Sequence, residues 1–88
     1  MFFDKQELWE HIRDEECLVA DGFDDAVIGI VYGDHPKTVY SVSKMLDILT
    51  ADEEMTREDA VEFFEYNIAG AYFGEKTPIY VYDFNEEA

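Results

Sequence analysis

The chain has little cysteine, little proline and few basic side chains. Its 88 residues include one cysteine, Cys17, two prolines, and six lysines and arginines together. A lone cysteine cannot form an internal disulfide, which fits a reducing compartment. No apolar run approaches the ~20 residues that span a bilayer, and residues 1–4 lack the basic flank and long apolar stretch of a signal peptide. These absences predict a soluble cytosolic domain.

The motifs that mark known chemistry are also missing. The calcium-loop spacing D-x-[DN]-x-[DN]-G-x5-E does not occur, so residues 21–25 are interpreted as a solvated turn. One cysteine and two histidines cannot supply four zinc ligands unless carboxylates join them. No glycine-rich phosphate loop precedes a helix. We therefore expect neither a metal nor a cofactor.

A nucleophilic centre is not predicted either. Cys17 follows Glu16, whose negative charge raises a thiol pKa and so opposes thiolate formation. Cys17 is instead predicted to be a small, buried, apolar side chain. Among the 22 acidic residues, no pair can be singled out as a catalytic acid and base. The prediction is a protein that is not an enzyme.

Acidic side chains are the abundant feature. The 22 aspartates and glutamates oppose six basic residues, for a formal net charge of −16. A globule of this length is about 30 Å across, and duplex DNA carries about 18 charges over that length. The protein's charge is therefore of the same order as that of a DNA segment of its own size. Such a surface repels nucleic acid and membranes and attracts basic proteins, so we expect a protein partner only.

Apolar periodicity predicts the first half of the fold as a helix followed by a hairpin. Residues 4–16 have an apolar sector suited to a helix. Residues 26–32 and 37–42 are β-favouring runs joined by a short turn containing glycine and proline, which favours antiparallel pairing. Ser41 or Ser43 can cap the helix that follows.

The second half predicts two helices and a final strand. Thr56 and Asp59 have the spacing of a helix N-cap and its partner, and Pro78 precedes the alternating pattern of residues 79–84. The order is α-β-β-α-α-β. The chain is therefore predicted as one acidic α+β domain, residues 1–88, with a small three-stranded, mainly antiparallel sheet and helices packed on it.

Helical spacing places acids in two rows opposite the apolar faces of the first and third helices. The intervening residues 26–46 contain a single acid, Asp34. We name the rows the α1 ridge and the α3 ridge. As candidate partner-binding residues, the α1 ridge comprises Asp4, Glu7, Glu10 and Asp14, and the α3 ridge comprises Glu58, Glu62 and Glu65.

The stretch FFEYNIAGAYFGEKTP, residues 63–78, is interpreted as a helix end with Gly70 as its C-cap, a turn, and a strand initiated by proline. Asn67 falls at the edge of the apolar face and is predicted to be a core amide bonded to backbone. Tyr80, Tyr82 and Phe84 share one face of the last strand. They are predicted to fill the core. The alternative is that they form an interaction face.

Three stretches, DDAVIGI, VYSVSKMLDIL and MTREDAVEFFEYNIAGAYFGEKTPIY, carry a resemblance that covers roughly residues 21–82. They resemble a family of small uncharacterised proteins encoded by tailed bacteriophages. The matching residues are Asp24, Asp25, Ala26, Gly29, Tyr40, Lys44, Leu49, Met55, Thr56, Ala60, Glu65, Tyr66, Asn67, Gly70, Ala71, Gly74, Glu75, Thr77 and Pro78. The resemblance implies a viral origin and brings no catalytic residues with it.

Together these features predict a non-enzymatic phage protein in the host cytoplasm. It would bind and inhibit a basic host protein that handles nucleic acid, such as a defence nuclease, with the two ridges acting as a partial DNA mimic. The alternative is a small homo-oligomeric accessory protein, joined through the neutral hairpin or residues 80–84, whose acidity serves solubility. A third possibility is an enzyme with a carboxylate-bound metal.

Overall fold

The computed structural model describes residues 4–83, which form the predicted order of elements. The third helix changes character part-way, from α-helical to π-helical. The elements are α1 (Lys5–Asp14), a 3₁₀ turn (Asp24–Ala26), β1 (Val27–Ile30), β2 (Thr38–Ser41), α2 (Val42–Asp52), α3 (Arg57–Phe63), a π-helix (Phe64–Ala69) and β3 (Ile79–Val81).

The sheet has the order β1-β2-β3, so β2 is the central strand. β1 and β2 pair antiparallel, with Ile30 opposite Thr38 and a register shift between Val27 and Gly29. β2 and β3 pair parallel, with Tyr40 opposite Tyr80. The two-helix connection makes the parallel pairing possible, because parallel neighbours need a long crossover. The predicted three-stranded α+β fold is confirmed, and its sheet is mixed.

Each α-helix begins at a side-chain cap. The carboxylate of Asp4 accepts a hydrogen bond from the backbone N–H of Glu7 at 2.8 Å, and the hydroxyl of Ser41 caps α2. The hydroxyl of Thr56 accepts from the N–H of Asp59 at 3.1 Å, as the sequence spacing predicted. These bonds satisfy N–H groups that the first turn of a helix leaves without partners.

The core lies where α2, α3 and the π-helix meet the sheet. Tyr40 is fully buried on the central strand, and its ring stacks on that of Tyr80 with centroids 5.9 Å apart. Phe64 from the π-helix meets Tyr80 edge-on at 5.4 Å. The other buried members of this cluster are Ala26, Val42, Met45, Leu46, Leu49 and Ala60. The apolar faces of α2 and of the third helix therefore point into the core.

The segment that follows α1 is fixed to the central strand by two long-range hydrogen bonds. The hydroxyl of Tyr40 accepts from the N–H of Ala20 at 2.7 Å. The hydroxyl of Thr38 donates to the carbonyl of Leu18 at 2.8 Å. Both hydroxyls belong to fully buried residues, so these contacts anchor residues 18–20 against the sheet.

Two predictions about the C-terminal half need correction. Asn67 is exposed and does not lie in the core, because it sits in the π-helix, where the 3.6-residue periodicity used to place it does not apply. The last strand ends at Val81, so the predicted residues 79–84 are too long. Tyr80 fills the core as predicted, whereas Tyr82 is 87% exposed. Phe84 lies outside the described residues.

Candidate functional site

The four acids of the α1 ridge are all exposed, and three of them have local partners. Asp4 is the helix cap, and Glu10 accepts a long hydrogen bond of 3.4 Å from the side chain of Gln6. Asp14 contacts the guanidinium of its neighbour Arg13 at 3.4 Å. Part of this ridge is therefore used within its own helix.

The acids of the α3 ridge have fewer local partners than those of the α1 ridge. Glu58, Glu62 and Glu65 are exposed, and none of them forms an ion pair within residues 4–83. The nearest cation in sequence, Arg57, instead contacts Asp47 of α2 at 2.9 Å. Like charges spaced four apart on a helix repel by a few tenths of a kcal/mol. This ridge therefore presents three free carboxylates to solvent.

The two ridges lie on elements with different packing neighbours. α1 packs against β1, at one edge of the sheet, whereas α3 packs against α2 and continues into the π-helix. The seven candidate residues therefore lie on elements that pack against different parts of the fold.

The stretch that includes Gly70 and Pro78 contains an ordered turn. The hydroxyl of Thr77 accepts from the N–H of Phe73 at 2.7 Å and donates to the carbonyl of Gly74 at 2.7 Å. Gly74 has a positive φ of 101°, a conformation that strongly favours glycine. The turn is also tied to α1, because the ammonium of Lys76 donates to the carbonyl of Glu15. The hydroxyl of Thr77 and the ammonium of Lys76 therefore serve the fold.

Beside this turn the structure forms an apolar groove that the sequence did not reveal. The groove has a volume of about 180 Å³. Its lining includes Leu18, Val19, Ala71, Phe73 and Tyr80. Phe73 is 66% exposed and Val19 is 45% exposed, so the rim is apolar and open to solvent. Residue 18 and residue 73 are far apart in sequence, which explains why periodicity could not pair them.

Asn67 connects this groove to an acidic one. The second groove is shallower and is lined by Met55, Asp59, Glu62, Phe63 and Tyr66, with Asn67 at the boundary. Tyr66 is 83% exposed. Glu62 belongs to the α3 ridge, so the ridge runs directly into an aromatic and apolar surface. We call the two grooves together the π-helix surface.

Cys17 is buried, as predicted, and its environment opposes nucleophilic chemistry. Burial raises the pKa of the Cys17 thiol above its ordinary value, and the positive charge of Lys76 only partly opposes this. The sulfur contacts the carbonyl of Pro36 at 3.5 Å. A thiol that stays protonated and covered is a packing group.

Within residues 4–83, no group of three or more histidine, cysteine, aspartate or glutamate side chains is placed to hold a metal ion. No helix in that part of the chain combines the length and apolar character needed to cross a bilayer.

Comparison with protein-family models, with curated proteins and with solved structures finds no match to the chain. The resemblance to phage proteins therefore stays a prediction.

Proposed function

We propose that this protein is a non-enzymatic inhibitor, encoded by a phage, of a basic host protein that handles nucleic acid. It acts in the host cytoplasm, and its exposed carboxylates occupy the surface that normally receives DNA. The single observation that carries the proposal is the uncompensated α3 ridge of Glu58, Glu62 and Glu65, in a chain with a net charge of −16.

The dimensions of the molecule support this proposal. Its longest axis is 36 Å and its thinnest is 19 Å. A duplex of 36 Å carries about 21 phosphate charges, which is of the same order as the net charge of −16. The basic side chains of a DNA-binding groove would pair with these carboxylates as they pair with phosphates, and salt would screen that attraction. Steering by opposite charges also raises the rate of encounter.

Displacement of DNA tests the proposal directly. A fluorescent duplex is bound to each member of a panel of bacterial nucleases and restriction enzymes, and the acidic protein is added at rising salt. We expect displacement from at least one member, and its apparent affinity should fall steeply between about 50 and 200 mM salt. Displacement from no member at low salt contradicts the proposal, as does displacement that salt does not weaken.

Matched variants distinguish the contribution of the α3 ridge to binding from the contribution of total net charge. The ridge variant is Glu58→Gln, Glu62→Gln and Glu65→Gln, and the control is Asp21→Asn, Asp24→Asn and Asp34→Asn. Both sets remove three exposed carboxylates. We expect the ridge variant to lose at least about tenfold in affinity and the control to lose much less. Equal losses of affinity in the two variants would show that binding depends only on total charge.

Oligomerisation is a second candidate role, favoured by the position of β3. β3 is an edge strand of the sheet, and edge strands can pair with another chain. Tyr82, directly after it, is 87% exposed. In this role the protein is a small homo-oligomeric accessory factor whose acidity serves solubility. Solution mass decides between the roles, because a monomer at all concentrations removes this candidate.

A further inference from the structure

We propose that the π-helix surface is a docking site for a basic protein segment that carries one apolar anchor side chain. The apolar groove takes the anchor, and acids at its borders pair with the flanking lysines or arginines. This inference rests on the proposed function only in taking the partner to be basic. It adds the part of the molecule that makes the contact and the feature of the partner that it recognises.

The size of the apolar groove determines what can enter it. Small-molecule pockets usually have volumes of about 300 to 1,000 Å³, whereas an apolar cavity of about 150 Å³ holds one benzene molecule. The groove, at about 180 Å³, therefore suits a single aromatic or aliphatic side chain and is too small for a cofactor. Its exposed walls, Val19 and Phe73, are the kind of apolar surface that anchors occupy at interfaces.

The charge around the groove determines what flanks the anchor. Glu62 and Asp59 line the adjoining groove, which shares Asn67 with the apolar one. A partner segment with basic residues next to its anchor would meet these acids. A second copy of this chain would bring its own charge of −16 to the same acids, so charge complementarity favours a different, basic protein.

The local backbone supplies an independent observation. Residues Phe64–Ala69 form a π-helix, a rare conformation that occurs frequently at functional sites. It buries Phe64 against the core while Tyr66 and Asn67 remain exposed. Tyr66 lines the acidic groove, and Asn67 lines both grooves. The departure from α-helical geometry therefore occurs where the two grooves meet.

Two synthetic peptides test the inference. One alternates lysine and serine around a central phenylalanine, and the other has serine in place of the phenylalanine. We expect the anchored peptide to bind at least about tenfold more tightly and to shift the amide resonances of Val19, Asn67 and Ala71. Equal binding of the two peptides overturns the docking site but leaves the proposed function intact. Binding of neither peptide at low salt counts against both.

Matched variants locate the anchor. Phe73→Ser removes an exposed groove wall, and Tyr32→Ser removes an aromatic side chain that is 101% exposed and lies outside the π-helix surface. We expect Phe73→Ser to abolish the preference for the anchored peptide and Tyr32→Ser to keep it. Val19→Ser, which changes another exposed residue of the groove lining, provides a second test if Phe73→Ser loses its native amide spectrum. Loss of preference in Tyr32→Ser as well contradicts the assignment, and groove resonances that move on dilution alone indicate that a second copy occupies it.

Discussion

At the scale of single residues, the clearest local strain lies just after α1. Glu16 has a φ of 55°, in the left-handed region that glycine adopts most easily. The N–H of Cys17 donates to the carbonyl of Ile12 at 3.0 Å, and that of Glu16 donates to Arg13 at 3.1 Å. These two bonds form the Schellman motif that ends many helices, where glycine is the usual residue.

We therefore expect Glu16→Gly to stabilise the protein. The left-handed conformation costs a residue with a side chain about 1 kcal/mol or more, and glycine avoids that cost while losing more backbone entropy on folding. The net gain should be up to about 1 kcal/mol, measured by urea denaturation. Glu15→Gly is the charge-matched control, because Glu15 has a φ of −89°. Its free energy of unfolding should fall by about 0.5 to 1 kcal/mol. A fall in both variants would contradict the strain assigned to Glu16.

A second residue-scale prediction concerns Asp83. Its carboxylate accepts from the hydroxyl of Ser41 at 2.6 Å and from that of Ser43 at 3.2 Å. The bond from Ser41 is the main cause that lowers the pKa of Asp83 below its ordinary 3.8, with slight desolvation opposing it. Since the folded state favours the ionised form, this contact contributes stability above the ordinary pKa and loses it as pH falls through the lowered pKa.

An NMR titration checks this directly. The carboxyl of Asp83 should titrate with a midpoint below 3.8, and Ser43→Ala should move the midpoint upward by removing one donor. The stability difference between the native protein and Asp83→Asn should shrink as the solution is acidified through this range. A midpoint at or above 3.8 contradicts the hydrogen-bonded geometry.

At the scale of elements, the helix caps connect local sequence to the candidate surface. The Thr56 cap fixes the first turn of α3, which carries Glu58 and leads into the π-helix. Thr56→Ala should therefore lower the free energy of unfolding by about 1 kcal/mol and weaken amide-exchange protection at the start of α3. Thr50→Ala is the control, since Thr50 lies inside α2 and alanine is the better helix former there. Equal losses in both variants would show that capping is not the cause.

The same elements show what the sequence could predict. The caps at Ser41 and Thr56 were predictable, because each depends on a hydrogen bond between residues three apart. The exposure of Asn67 was not, because the change from α- to π-helix depends on tertiary packing that periodicity does not contain. Helical spacing predicted the exposure of Glu58 and Glu62 on α3, whereas Glu65 is exposed from the π-helix, to which that spacing does not apply. The apolar groove could not be predicted, because its lining residues come from segments far apart in sequence that are brought together by the tertiary fold.

At the scale of the whole molecule, the net charge opposes folding. The 88-residue chain carries sixteen excess negative charges, and the extents of the fold are 36 × 32 × 19 Å. Only three acids within residues 4–83 form an ion pair with a lysine or arginine: Asp14, Asp25 and Asp47. The remaining carboxylates repel one another more strongly in the compact state than in the unfolded chain.

Salt should therefore stabilise this protein. The Debye length falls from about 30 Å at 0.01 M to about 3 Å at 1 M, so repulsion acts across the molecule at low salt and is screened at high salt. We expect Tm to rise with sodium chloride, by roughly 4–8 °C for each kcal/mol of repulsion removed. Potassium chloride should raise Tm to the same extent, because the screening depends on ionic strength and not on the identity of the cation. A Tm that does not change would show that the acids are already neutralised.

The ridge variant links this stability effect to binding. Replacing Glu58, Glu62 and Glu65 with glutamine removes repulsion within one helix, so its Tm at low salt should exceed that of the native protein and should respond less to salt. A basic partner relieves the same repulsion and stabilises the folded state by mass action. If these three acids are the contact surface, the substitutions that raise Tm should be the ones that weaken binding. Higher stability with unchanged affinity would assign the ridge to solubility instead.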